Sequence, residues 1–178
     1  SLQKLGAIMG SGGMIVVDDD DCIVDVVKFF LGFCVDESCG KCAPCRIGST
    51  QLLHILNDIS EGKAQINDIN KLKRISAAMQ KASLCGLGQT AANPIISSLR
   101  YFEDEYIEHI NNKKCPAKVC KMLINYSINQ NNCIKCGICQ NKCPVNAIIG
   151  NRNEGFKIDT NLCVKCGGCI ESCNFNAI

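Results

Sequence analysis

Cys133-x2-Cys136-x2-Cys139-x3-Cys143-Pro144 sets three thiols at intervals of three residues with a fourth close behind, and Cys163, Cys166, Cys169 and Cys173 repeat the pattern thirty residues later. Thiolates spaced in this way on a tight loop can hold three corners of a cube of iron and sulfide while a fourth reaches across. Structural zinc sites normally use separated pairs of ligands, which triplets recurring in register do not suit. The duplication extends to Asn146-Ala147-Ile148 and Asn176-Ala177-Ile178, so the end of the chain is two copies of one unit. Gly137, Gly167 and Gly168 lack a Cβ and let the loop backbone bring N–H groups toward cluster sulfurs. Asn174 replaces Pro144 in the second copy and changes the turn without removing a ligand.

The spacing resembles that of bacterial 4Fe-4S ferredoxins. In two-cluster ferredoxins the fourth cysteine serves the other cluster. The resemblance therefore implies one 4Fe-4S cluster on Cys133, Cys136, Cys139 and Cys173, and its twin on Cys163, Cys166, Cys169 and Cys143. A turn-rich stretch from Gly150 to Gly155 and a strand-like Phe156-Lys157-Ile158 complete a small α+β domain over 128–178.

A third triplet lies in Glu37-Ser38-Cys39-Gly40-Lys41-Cys42-Ala43-Pro44-Cys45-Arg46-Ile47-Gly48 and lacks a fourth cysteine nearby. The elements around it supply one. Apolar periodicity predicts a first helix carrying Ile23, Val26, Val27, Phe30 and Leu31, and a second carrying Leu52, Leu53 and Leu56. A third carries Ile69, Leu72, Ile75 and Met79, and a fourth runs from near Pro94 through Ile95, Leu99, Phe102, Tyr106 and Ile110. Antiparallel packing of four such helices over 21–112 returns Cys85, between the third and fourth, to the end that holds Cys39. Cys39, Cys42, Cys45 and Cys85 then form a third 4Fe-4S site. Lys41 and Arg46 beside it offset its negative charge.

With E-S-C-G-K-C-x-P-C-R-x-G and the later S-L-C-x-L-G in place, nearly the whole chain resembles the C-terminal part of the NADH-binding flavoprotein subunit of respiratory complex I. It is most similar to the corresponding subunit of multimeric, electron-bifurcating iron-iron hydrogenases and NADP-reducing hydrogenases, which carries the same ferredoxin-like tail. The resemblance implies that FMN and the NAD(P) site lie in a preceding region, that Gly10 to Val17 is the loop and strand leaving it, and that this segment (1–20) is followed by an electron-carrying arm. It implies as partners an iron-iron hydrogenase catalytic subunit and a thioredoxin-like 2Fe-2S subunit. The same arm could serve a formate dehydrogenase or another flavin-based oxidoreductase. No acid-base or nucleophilic constellation is present, so the segment is expected to carry electrons and not to transform a substrate alone.

Four cysteines remain: Cys22, Cys34, Cys115 and Cys120. His109, Cys115 and Cys120 are ligand types that zinc favours. Cys22 and Cys34 sit at opposite ends of one helix, roughly 18 Å apart, so only one can join them. The start of the first helix and the end of the fourth share the pole away from the Cys39 site, which selects Cys22. A tetrahedral zinc on Cys22, His109, Cys115 and Cys120 is expected to fasten the bundle to the connection over 113–127; buried thiols and an exposed helical histidine are the alternative. Cys34 reads as a small apolar residue, His54 as structural or exposed, and Asp18 to Asp21 as an acidic cap on the first helix, with a calcium site as the other reading.

Sixteen cysteines make up about 9% of 178 residues, while tryptophan is absent and aromatics reach 5%. A core this thin needs cross-links or metal. The net charge of +2, with no basic run, argues against nucleic acid as a partner. No apolar run approaches membrane-spanning length, and no secretory pattern opens the chain, so a cytoplasmic protein is expected, with this chain as one segment of a longer one. The expected architecture is mainly α: a four-helix bundle carrying one 4Fe-4S cluster, followed by an α+β bacterial-type ferredoxin domain with two. A zinc-stapled interaction module without redox activity is the competing reading from another class.

Overall fold

A computed structural model describes Gly12 and residues 14–178. The chain divides into two compact units, 1–123 and 124–178. Gly10, Ser11 and Gly13 of the expected glycine loop lie outside the described residues. Met14 to Val17 form no strand: the only sheet among the described residues is a hairpin far along the chain, and a strand without a partner leaves its backbone unpaired.

In the first unit, helices α1 (Ile23–Asp36), α2 (Ala43–Ser60) and α3 (Asn67–Ala82) pack around a shared core, followed by the short α4 (Gly86–Thr90), then α5 (Asn93–Tyr101) and α6 (Glu103–Asn111). The buried stripe of α1 is Val24, Val27 and Leu31. It is rotated one residue from expectation, and Ile23, Val26 and Phe30 line an open cleft against α5. Leu52, Leu56 and Ile59 of α2 meet Ile69, Leu72 and Met79 of α3, all of them buried.

The fourth helix of the bundle is delivered as two pieces. Phe102 leaves helical geometry at φ −135° and ψ 30°, and its ring is 45% exposed instead of completing the stripe. The helix restarts on Glu103, Asp104 and Glu105, three carboxylates favoured at a positive helix end. Tyr106, fully buried, ties the pieces together through its hydroxyl, 2.7 Å from Ser98 Oγ.

The acidic run does not cap α1. Asp18 and Asp21 close a turn on each other, with Asp18 N–H donating to Asp21 Oδ2 at 3.1 Å and Asp21 N–H to Asp18 O at 3.1 Å. Glu105 of α6 accepts the Ile23 N–H instead, at 3.0 Å. A carboxylate from a neighbouring helix thus satisfies one of the free donors of the first turn.

The second unit is built on two short helices, α7 (Ile138–Lys142) and α8 (Gly168–Glu171), and an antiparallel hairpin of β1 (Ile148–Asn151) and β2 (Gly155–Ile158). Its buried core is slight, centred on Cys139, Ile148 and Phe156. The hairpin turns on Asn151, whose Oδ1 accepts the N–H groups of Asn153 and Glu154, both at 2.9 Å. Gly150 sits at φ +131°, and a Cβ there would lie 2.1 Å from the Gly155 carbonyl oxygen. Gly150→Ala therefore meets both backbone strain and a backbone collision. We expect it to destabilise this unit by about 2–3 kcal/mol, read as a lower denaturation midpoint of the cluster absorbance while the first unit's helical signal is retained.

Candidate iron-sulfur and metal centres

The duplication folds as an exchange between halves. Asn129 N–H donates to Ala177 O at 2.7 Å, and, thirty residues on, Asp159 N–H donates to Ala147 O at 2.7 Å. The residue four places ahead of each triplet is thus bonded to the tail of the other repeat. Asn129 O in turn accepts the Cys133 N–H, and Asp159 O the Cys163 N–H, both at 3.0 Å. Consequently one cavity is lined by Cys133, Cys136, Cys139 and Cys173, and another by Cys143, Cys163, Cys166 and Cys169. Lys135 and Lys165 both take positive φ, as do Gly137 and Gly167, winding each triplet into a loop that turns its thiols inward. Phe156 closes over Gly137 in the first copy and Tyr126 over Gly167 in the second. Burial raises the Cys139 and Cys169 thiol pKa values, and neighbouring cysteines of the same triplet add to the rise. Thiols gathered with no cation resist ionisation, and iron supplies the missing positive charge.

In the first unit, the loop before α4 reaches the triplet at the start of α2. The Leu84 backbone amide facing the Cys42 thiol, with the Arg46 charge as a lesser contribution, lowers the Cys42 pKa. Arg46 also donates to the Gly40 carbonyl, bracing the loop. A Cβ on Gly88 would come 2.7 Å from Ser83 Oγ and 3.0 Å from Cys45 Cβ, so this glycine allows the Cys85 loop to press against Cys45. The donor set suits a 4Fe-4S cluster: thiolates on short loops, backbone N–H groups beside them, and a buried hydroxyl, that of Ser83, with no partner of its own. Lys41 stays exposed, and sequence reasoning passed over Ser38, whose Oγ lies 3.4 Å from Cys45 Sγ.

At the opposite end of the first unit, Cys22, His109, Cys115 and Cys120 converge with their ligand atoms all within 4.8 Å of one another. None is more than 6% exposed. Cys22 Sγ lies 3.3 Å from His109 Nε2 and 3.7 Å from Cys120 Sγ, and Cys120 Sγ lies 3.5 Å from His109 Nε2. A tetrahedral zinc with ordinary bond lengths needs edges of about 3.8 Å between sulfurs and about 3.5 Å between sulfur and nitrogen, so the donor set fits that ion. His109 Nδ1 is 2.7 Å from the Glu105 carbonyl. That contact places the proton on Nδ1 and leaves Nε2 free to ligate. Contact with the Cys120 thiol, then burial, pushes the Cys22 pKa far up. Burial alone would depress His109, but the Cys22 contact and the Glu105 carbonyl outweigh it and raise its pKa.

Two cysteine and histidine positions stand apart from these sites. Cys34 is half-buried against the first unit's core, and burial raises its pKa. His54 is exposed and pairs with Asp58 at 3.1 Å.

Among the described residues no helix is long and apolar enough to cross a membrane. Residues 25–109 match the NADH-ubiquinone oxidoreductase-F iron-sulfur binding region, and residues 132–178 match a 4Fe-4S dicluster domain. The chain is 50% identical to the NADP-reducing hydrogenase subunit HndC of Solidesulfovibrio fructosivorans over 86% of its own length and 31% of that protein. It is 43% identical to an NADH-quinone oxidoreductase subunit of Streptomyces coelicolor over 62% of its own length and 25% of that protein. Among solved structures, an NAD+-reducing NiFe-hydrogenase in the H2-reduced state aligns with a TM-score of 0.52 at 32% identity, covering 54% of this chain and 17% of the other. The chain spans a third or less of the length of these relatives. Residues 25–109 and 132–178 thus each match an iron-sulfur family model, and the chain is an iron-sulfur electron-transfer region with 4Fe-4S domains.

Proposed function

We propose that three 4Fe-4S clusters wire a flavin and NAD(P)H site, outside this segment, to partner iron-sulfur subunits of a multimeric iron-iron hydrogenase. The observation that carries this reading is the gathering of eight cysteines into two cavities, each completed by a cysteine from the other repeat. For the third cluster, the support is the approach of the loop before Cys85 to Cys45 across Gly88. When bound, such clusters accept and release single electrons. The chain's own part is to ligate, to exclude water with Phe156 and Tyr126, and to place N–H donors beside the thiolates.

The extension of the HndC likeness to 86% of the chain, far beyond that of the NADH-quinone oxidoreductase relative, supports a hydrogenase as the terminal enzyme. By the resemblance of the motifs to the flavoprotein subunits of multimeric hydrogenases, the partners would be the hydrogenase catalytic subunit and a thioredoxin-like 2Fe-2S subunit, with FMN as the immediate electron donor or acceptor. Sixteen thiols without a disulfide suit the reducing cytoplasm. At the other pole a zinc ion on Cys22, His109, Cys115 and Cys120 would play a structural role, since four protein ligands leave no open position.

Anaerobic reconstitution of the chain with iron and sulfide tests the reading. We expect about twelve irons per chain, paramagnetic signals on reduction, and one zinc in metal-replete material. A colourless protein carrying only zinc would establish the interaction-module alternative and end the redox reading.

A further inference from the structure

Two serines lie beside the first unit's cluster site, Ser83 with a hydroxyl that makes no hydrogen bond within the protein and Ser38 with a hydroxyl next to a cluster thiol. Ser83 is 4% exposed, and its Oγ makes no hydrogen bond within the protein. Its backbone is fully engaged: the N–H donates to Met79 O at 3.1 Å and the carbonyl accepts Gln89 Nε2 at 3.0 Å. The side chain lies on the Cys45 side of its loop, because the point 2.7 Å from Ser83 Oγ where a Gly88 Cβ would stand is also 3.0 Å from Cys45 Cβ. Leaving a buried hydroxyl unpaired costs about 1–3 kcal/mol; Ser76 Oγ in α3 is unpaired too, so it is the place of Ser83 beside Cys45 that makes a cluster sulfur its acceptor. Ser38 is the complementary case. Its Oγ accepts the Gly40 N–H at 3.3 Å, and it lies 3.4 Å from Cys45 Sγ. Once Cys45 is a thiolate it can only accept, so the single Ser38 proton points at it.

We propose that Ser38 and Ser83 donate their hydroxyl protons to sulfur at the site held by Cys39, Cys42, Cys45 and Cys85, and thereby raise the reduction potential of that cluster above what its ligands alone would set. The inference rests on the cluster assignment above. Reduction adds one electron and no proton, so the reduced form carries one more negative charge, concentrated on the sulfurs. Donors aimed there stabilise it more than the oxidised form. Ser49, another buried serine close to Cys45, is excluded, because its hydroxyl is committed to the Cys45 carbonyl at 2.6 Å.

The test is an EPR-monitored potentiometric titration of the full chain, reconstituted anaerobically, alongside Ser38→Ala, Ser83→Ala, Ser38→Thr and Ser49→Ala. The component that disappears in Cys85→Ala identifies the cluster concerned. Each Ala variant at 38 or 83 should keep its iron and shift the one-electron equilibrium toward the oxidised form about fivefold to tenfold, the tenfold case being about 59 mV. The components assigned to the second unit serve as an unshifted internal standard. Ser38→Thr, which keeps the hydroxyl, should restore the parent potential, and Ser49→Ala should leave it unchanged. Full iron with an unmoved potential in both Ser38→Ala and Ser83→Ala overturns the proposal and leaves the cluster assignment standing. A parent protein with no Cys85-dependent iron overturns both. Should Ser83→Ala lose the cluster, the Ser38 pair decides the matter alone, by whether the potential falls with alanine and recovers with threonine.

Discussion

Cys143→Ala should remove about four of about twelve irons, and it should remove them from the cluster of the opposite repeat. Combining it with Cys163→Ala should cost no further iron, because both residues line one cavity. Combining it with Cys133→Ala should cost about four more, because Cys133 lines the other. Cys173→Ala should mirror this, neutral with Cys133→Ala and additive with Cys163→Ala. Non-additivity of this kind is the signature of groups acting as one unit. Iron and sulfide analysis of these single and double variants checks it, and the reverse pattern would mean that each repeat closes on its own fourth cysteine. The hydrogen bonds argue for the exchange: Ala147, four residues after Cys143, receives the N–H of Asp159, four residues before Cys163.

His109→Ala should release the zinc and destabilise the first unit by about 4 kcal/mol or more, lowering its melting temperature by about 15–30 °C. The residue is fully buried, and its removal leaves three thiols facing one another with no cation. Chelation of the parent protein should reproduce the loss in melting temperature, whereas chelation of His109→Ala should do nothing further. The sign of the pH dependence follows from the ligands. Cys22 has its pKa pushed up by the Cys120 contact and by burial, so without metal it stays protonated and zinc must displace that proton. Acidification therefore favours release, and zinc occupancy should fall as pH falls, measured with a colorimetric zinc indicator. A His109→Ala protein with unchanged zinc and melting temperature would remove the metal from the account.

The cysteine spacing was the most legible part of the molecule, because a cluster's corners must be reached from a short loop and that requirement is written directly into residue intervals. The helical stripes of α2 and α3 were legible for a similar reason: Leu52, Leu56, Ile69, Leu72 and Met79 repeat with the turn of the helix and all are buried. The break at Phe102 was not, since apolar residues continue in phase through it with neither proline nor glycine to mark it; the only sign is the cluster Glu103-Asp104-Glu105, which reads as a new helix start. The role of Asp18 to Asp21 was misjudged because a local run was matched to the nearest helix, while the acceptor that reaches Ile23 comes from eighty-two residues away. The two serines were invisible for a different reason. Nothing in Glu37-Ser38-Cys39 or Ser83-Leu84-Cys85 says which way a hydroxyl points until Gly88 brings the loops together.

The traded hydrogen bonds at Asn129 and Asp159 also constrain how this small domain could have arisen and how it must mature. A polypeptide holding just one of the repeats would present three thiols and an orphan fourth, able to finish a cage only by embracing an identical copy. On the proposed ligand sets, the cage begun second would have all its sulfurs once Cys169 has emerged, whereas the one begun first would have to wait for Cys173 and for Ala177, the partner of Asn129.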